Sequence, residues 1–213
     1  MLPVLLLAVP GTALAHPTGL DLSKLSRTGV VWTYVKLGFE HILPLGLDHI
    51  LFVLSLYLLE PRLKPVLVQA TTFTVEQYMT LGLASQGIIY ASPAIVEPLI
   101  ALSILFVALE NMIVRHLNPW RIVIVFAFGL IHGLGFAGAL GELGLPPKQF
   151  FSALLAFNGG VELGQLTVIL LAWALVGRWT ADKPWYHARV VMPACAVIAV
   201  VATWWTVERL FLS

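Results

Sequence analysis

Two histidines and an aspartate lie within one short stretch of a hydrophobic run. They are His41, Asp48 and His49, and the run continues without a charge to Leu59. An ionisable side chain inside a membrane span is costly unless it is paired, hydrated or bound to an ion. Imidazole nitrogens and a carboxylate are also ligands that divalent transition metals accept. The stretch therefore predicts an intramembrane metal site. The alternative is that these side chains make interhelical polar contacts that only hold the helices together.

Costly polar side chains also occur in all the remaining hydrophobic runs apart from the last one, at 188–212. Each of these groups must avoid lipid and find a partner, so we expect several of them to converge on one pocket. The predicted metal ligands are His41, Asp48, His49, Glu110, His132 and Glu162. The polar side chains expected to surround them are Glu76, Gln77, Asn158 and Gln165. The alternatives are that Glu110 reaches the interface and that His132 makes an ordinary interhelical hydrogen bond.

Helical geometry limits which of these groups can meet. His41 and Asp48 share a face but lie about 10 Å apart along a straight helix. Pro44 and Gly46 stand between them, where a helix bends or opens easily. We therefore expect two half-helices here. Neighbouring Asp48 and His49 diverge by about 100° around the axis, so one of them would bind the ion and the other would support it.

The composition is typical of a membrane protein. Of 213 residues, 59% are hydrophobic and 11% are charged, whereas soluble domains are about a quarter charged. The net charge of +1 provides no basic field for nucleic acid. The single cysteine, Cys195, excludes an intrachain disulfide and a zinc site built from cysteines. The expected partners are a metal ion and the lipid bilayer.

The hydrophobic runs predict an all-α, polytopic membrane bundle with about six transmembrane helices. Residues 1–15 end in Ala13-Leu14-Ala15, which is typical of a signal-peptidase site, although no positive charge precedes them. Residues 16–213 then form one transmembrane domain. Using the ~20 residues that a span needs, we place the spans at 31–59, 66–90, 94–114, 121–141, 150–177 and 188–212.

Loop charges predict the orientation. Lysine and arginine concentrate in the connections 59–66, 114–121 and 177–188. By the positive-inside rule these connections face the cytoplasm. We therefore expect a multi-pass protein of a bacterial-type inner membrane, with the mature N-terminus and the C-terminus outside.

Small residues surround the histidine of the fourth run. Gly129 and Gly133 form a GxxxG pair next to His132. Such pairs let helix backbones approach closely. We expect His132 to lie in a tight interior interface.

Taken together, these pieces resemble the second branch of the HupE/UreJ family. The matching motifs run in order through residues 38–178 and are Gly38-Phe-Glu-His41, Gly46-Leu-Asp48-His49-Ile-Leu-Phe, Phe73-Thr-Val, Ala101-Leu-Ser-Ile, Glu110-Asn111, Phe128-Gly-Leu-Ile-His132-Gly-Leu-Gly-Phe-Ala137 and Phe157-Asn158-Gly-Gly-Val-Glu162-Leu-Gly-Gln165. The resemblance implies a secondary permease for nickel or cobalt, associated with hydrogenase and urease maturation proteins as partners. It also implies that His41, Asp48 and His49 form the family's first histidine–aspartate motif, and that His132 belongs to its later His-Gly motif. Where the family tends to have a histidine in the second span, this chain has Gln77, with Glu76 beside it.

The leading hypothesis is a permease for a divalent cation, with nickel, cobalt or zinc as the metal. Histidine, aspartate and glutamate on separate helices could instead hold zinc and activate water, as in an intramembrane metal-dependent hydrolase. The third hypothesis is a non-transporting accessory protein that binds metal. The fourth hypothesis is a bundle whose polar groups only form hydrogen bonds with one another. The sequence leaves the metal, the coupling ion and the oligomeric state open.

Overall fold

The computed structural model describes residues 26–143 and 145–212. The predicted signal peptide, 1–15, lies outside these ranges. Within them every regular element is helical and none is a strand. The prediction of an all-α helical bundle is therefore confirmed.

The first predicted span is two helices. Helix α1 covers Arg27–Ile42, begins at a Ser26 cap and ends before the Pro44 turn, and helix α2 covers Leu47–Leu59. Their axes differ by 70°. At Gly46 a Cβ atom would collide with the backbone carbonyl of His41, so the tight turn requires glycine. The predicted break at Pro44 and Gly46 is thus confirmed.

The other helices match the remaining runs. They are α3 (Leu63–Ser85), α4 (Pro93–Ile113), α5 (Arg121–Leu143), α6 (Phe150–Ala172) and α7 (Met192–Phe211). Helix α6 continues through a π-helical turn, Trp173–Gly177, into Arg178–Thr180. A second π-helical turn, His187–Val191, leads into α7.

The number of membrane crossings differs from the expected six. Among the described residues, the helices at α4, α5, α6 and α7 are long and apolar enough to cross a membrane, and the bent α1–α2 pair makes a possible fifth span. Helix α3 is not among them. It carries Gln69, Glu76 and Gln77, all of which are buried against the other helices. Six crossings are therefore not confirmed, because the helix at the predicted second span is less apolar than α4 to α7.

Three helix pairs form the bundle's framework: α1 with α6, α3 with α5, and α4 with α7. Glycines allow the first two pairs to approach closely. A Cβ at Gly160 would collide with the Val35 carbonyl. A Cβ at Gly133 would lie 2.9 Å from the Gln77 Cα atom. This close approach confirms the tight packing predicted around His132, which is 0% exposed.

Two apolar cores flank the centre of the bundle. One contains Phe136 and Phe157 and packs around α1 and α6. The other contains Phe52 and Phe73 and packs around α4 and α7. Side chains from both cores contact the same group of histidines, so the polar centre lies where the two cores meet.

Candidate metal centre

Three of the predicted ligands meet at the centre of the bundle. His41 comes from the end of α1, His49 from the first turn of α2, and His132 from the middle of α5. The ring centroids of His49 and His41 are 5.5 Å apart, and those of His49 and His132 are 5.1 Å apart. The break between α1 and α2 brings His41 beside His49. We call these three side chains the histidine cluster.

Aromatic rings wall this cluster. Phe136 stacks on His49 at 4.7 Å and meets His41 edge-on at 4.3 Å. Phe52 and Phe73 lie 5.0 and 4.9 Å from the His132 ring. The walls leave few polar atoms near the rings, so an ion entering here would find the imidazole nitrogens as its principal ligands.

Hydrogen bonds determine which nitrogen of His132 is free. The Ser103 hydroxyl donates its proton to the Ile100 carbonyl at 2.7 Å. The Ser103 oxygen lies 2.9 Å from His132 Nε2, and it has no second proton to give. His132 therefore donates from Nε2–H to Ser103, which leaves the lone pair of the neutral ring on Nδ1.

That Nδ1 atom faces His49. The distance from His132 Nδ1 to His49 Nε2 is 3.4 Å. Two nitrogens bound to one metal ion at ~2.0–2.1 Å each stand about 3.0–3.4 Å apart. The Gln77 amide nitrogen is also 3.4 Å from His49 Nε2. If the amide donates, it uses the lone pair of His49 Nε2, so it must give up this hydrogen bond before a cation can bind both facing nitrogens.

Asp48 does not join the histidine cluster in this structure. Both of its carboxylate oxygens accept hydrogen bonds from Arg209 Nη2, at 2.8 and 3.1 Å. Arg209 lies in the last turn of α7 and also donates from Nη1 to the Glu97 carbonyl at 3.1 Å. Arg209 is not among the predicted site residues, because it lies in the one hydrophobic run for which no costly polar group is predicted.

Glu110 is held at the other end of the bundle. Arg121 Nη1 donates to Glu110 at 2.7 Å and to the Asn111 side chain at 3.0 Å, and Arg121 Nε donates to Gln69 at 3.0 Å. Glu110 is buried, so it does not extend to the interface as the alternative reading allowed. Arg121 enters the sequence-based prediction only as a charge of the 114–121 connection, although its place at the first position of a predicted span could have identified it.

The remaining predicted side chains line the contact between α3 and its neighbours. Thr71 donates to Glu162 at 2.9 Å, and Thr74 donates to Gln165 at 3.4 Å. The Asn158 amide donates to its own helix, at Leu154. Glu76 is buried against Gly129 of α5. These groups form a polar seam beside the centre rather than a part of the histidine cluster.

The structure thus brings together three of the six predicted ligands. In the described ranges, no three His, Cys, Asp or Glu side chains are placed so that they could hold a metal ion. The paired imidazoles are the closest approach to such a site, and Asp48, Glu110 and Glu162 each have another partner.

The apolar helices and their buried polar centre define a polytopic, α-helical membrane protein. Residues 20–209 match the family model described as HupE / UreJ protein. Since this match covers most of the chain, the chain belongs to the HupE/UreJ family, whose members are membrane proteins associated with nickel and cobalt transport. Searches among curated proteins and among solved structures found no match.

Proposed function

We propose that this protein is a membrane permease that passes a divalent transition-metal cation, nickel or cobalt, through the histidine cluster. The observation that carries the proposal is the facing pair of imidazole nitrogens, His49 Nε2 and His132 Nδ1, 3.4 Å apart at a helix break. Neutral imidazoles suit nickel, cobalt and zinc better than they suit calcium or magnesium.

A cation in this centre needs negative charge nearby. Three neutral imidazoles leave a divalent ion uncompensated in a medium of low dielectric constant. Asp48 is adjacent to His49 and is the acid best placed to supply that charge. Glu162 and Glu110 would join the site only by leaving Thr71 and Arg121, so we assign them a smaller part. Gln77, Glu76, Asn158 and Gln165 would support the ligands from outside.

The bend between α1 and α2 offers a pivot for transport. Secondary transporters place their sites at interrupted helices, and the two sides of the site open in turn. His41 lies on one side of the 70° bend and His49 on the other. A change in this angle would separate the two imidazoles and release the ion. The sequence contains no nucleotide-binding motif, so transport would be secondary or facilitated.

The surroundings follow from the same proposal. The protein would lie in a bacterial-type inner membrane, with its signal peptide removed and both termini outside. Metalloenzyme maturation proteins would receive the ion on the cytoplasmic side.

Radioactive nickel uptake into proteoliposomes tests the proposal. The full chain is compared with His49→Ala and His132→Ala, and with His116→Ala as the matched control, because His116 is exposed in the α4–α5 connection. We expect both cluster variants to lose uptake by about a hundredfold, in line with the loss of a ligand, and the control to retain it.

Equilibrium dialysis with nickel on the same samples distinguishes the permease from the alternative functions. Bound nickel without uptake would favour the accessory protein or the hydrolase. No bound nickel in the wild-type protein would leave only a structural role for the three histidines.

A further inference from the structure

The Asp48–Arg209 pair lies next to the histidine cluster. Asp48 precedes His49 in the first turn of α2, and Arg209 Nη2 holds both of its oxygens. The guanidinium is itself fixed, since it donates to the Glu97 carbonyl of α4 and stands 5.4 Å from the Trp205 ring. Both side chains are largely buried, at 24% and 20% exposure. The pair is therefore a well-ordered, largely buried ion pair rather than a solvent-exposed surface pair.

Both charges of the pair act on the cluster. Asp48 directly precedes His49 in the first turn of α2, and its carboxylate holds the Arg209 guanidinium at 2.8 Å, so both charges lie next to the cluster. A divalent ion between His49 and His132 would be attracted by Asp48 and repelled by Arg209. While Arg209 binds both oxygens of Asp48, it neutralises much of the carboxylate's charge and so weakens its attraction for a second cation.

We propose that Arg209 is a built-in competitor of the transported cation: it binds Asp48 when the histidine cluster is empty and releases it when the cation enters. The guanidinium stays attached to α7, so it can return to Asp48 as soon as the ion leaves. This inference rests on the proposed function, and it identifies a residue that sets the affinity and the release of the ion.

Competition of this kind would lower the energetic cost of the transport step in which the carrier returns without an ion. A permease must also change conformation without its cargo, and an unpaired Asp48 carboxylate inside the span would make that step costly. The Arg209–Asp48 pair would neutralise the carboxylate during that step. Loss of Arg209 should therefore strengthen ion binding and at the same time slow the return of the empty carrier.

The test measures nickel affinity and uptake for the full chain with Arg209→Gln, Asp48→Asn and the double variant. Arg189→Gln is the matched control, because Arg189 lies in the π-helical turn that leads into the same helix and stacks on Trp185 at 5.8 Å. We expect Arg209→Gln to lower the nickel Kd about tenfold and to lower the maximal uptake rate. In the Asp48→Asn background the same change should have little effect on Kd, and Arg189→Gln should leave both quantities unchanged.

The sign of the Kd change separates competition from a structural role. If wild-type protein binds nickel and Arg209→Gln binds it equally or more weakly, the inference is wrong while the permease proposal stands. If neither the wild type nor any variant binds nickel, the proposed function fails and the inference fails with it. Should Arg209→Gln not yield folded protein, Arg209→Met carries the same test. Methionine keeps an apolar side chain of similar length but removes the charge, so a lower Kd is again expected and an unchanged or higher one would overturn the inference.

Discussion

The protonation of a single ring nitrogen determines whether His132 can bind a cation. Ser103 forces the proton onto Nε2, because its own hydrogen is already used on the Ile100 carbonyl. A serine inside a helix commonly bonds to its own backbone, and Ser103 does so as well. Nothing in the sequence shows that its oxygen also faces a histidine from another helix, so this contact could be found only in the structure.

Replacement of Ser103 by alanine should weaken nickel binding. Without the acceptor, His132 loses its fixed tautomer, and we expect the nickel Kd to rise about tenfold to a hundredfold. Equilibrium dialysis on the purified full chain measures this change. Thr206→Val is the control, since Thr206 also bonds its own helix but its hydroxyl has no described histidine partner. Equal Kd values for wild type and Ser103→Ala would show that Ser103 does not position the ring.

Gln77 illustrates what a residue pattern can predict. Its departure from the family's usual histidine was visible in the sequence, and its place beside the metal site was inferred. The structure puts the amide 3.4 Å from His49 Nε2 and leaves its Oε1 atom without a hydrogen bond. An amide supports an imidazole more readily than it binds a transition metal. We therefore assign Gln77 to orienting His49 before an ion binds, since the amide must leave Nε2 when a cation takes that lone pair.

Pairs of helices, rather than single helices, position the histidine cluster. Helix α1 lies along α6, where Gly38 and Gly160 face the backbone of the partner helix. Any side chain at either position would push the two helices apart. Since α1 carries His41 at its end, the distance between α1 and α6 also determines where this imidazole lies.

Gly160→Ala should destabilise the protein and weaken ion binding, whereas Gly159→Ala should do neither. A Cβ at position 160 would lie 2.8 Å from the Phe39 backbone nitrogen and would also strike the Val35 carbonyl, but a Cβ at position 159 meets nothing within 4 Å. Overpacking of this kind costs about 1–3 kcal/mol. Thermal unfolding in detergent and nickel dialysis measure the two effects. Matching melting temperatures for the neighbouring variants would contradict the close α1–α6 contact.

At the scale of the whole molecule, two arginines near span ends reach into the bundle and neutralise acids. Arg121 pairs with Glu110, and Arg209 pairs with Asp48. By the predicted orientation, the first pair lies near the cytoplasmic end and the second lies toward the outside. Pairing of this kind removes much of the cost of an acid in a membrane. It also explains why Asp48 and Glu110 do not join the histidine cluster as ligands.

Single-cysteine labelling tests the orientation. The native Cys195 is buried and should not react, so labelling reports introduced cysteines. Lys183 and Leu212 are exposed. With a membrane-impermeant maleimide on intact spheroplasts, we expect Leu212→Cys to react at once and Lys183→Cys to react only after permeabilisation, as the positive-inside rule requires. The reverse pattern would show that the C-terminus is cytoplasmic.

Local features of the sequence determined the membrane class, the all-helical content, the break after α1 and the tight packing at Gly133. Hydrophobicity, proline and glycine act on the chain near the place where they occur, so a linear pattern is sufficient to predict their effects. The family was also predictable from the sequence, because the motifs that indicate it lie within residues 20–209, which match the family model.

Only the tertiary structure decided which partner each buried polar group receives. The rotation of each helix about its axis, and the 70° angle between α1 and α2, turn His41, His49 and His132 toward one another and turn Asp48 toward Arg209. These angles result from side-chain packing between segments far apart in the sequence, which no local pattern records. The same packing lets α3 bury Gln69, Glu76 and Gln77 against its neighbours while Val68, Val75 and Met79 stay exposed on its other side.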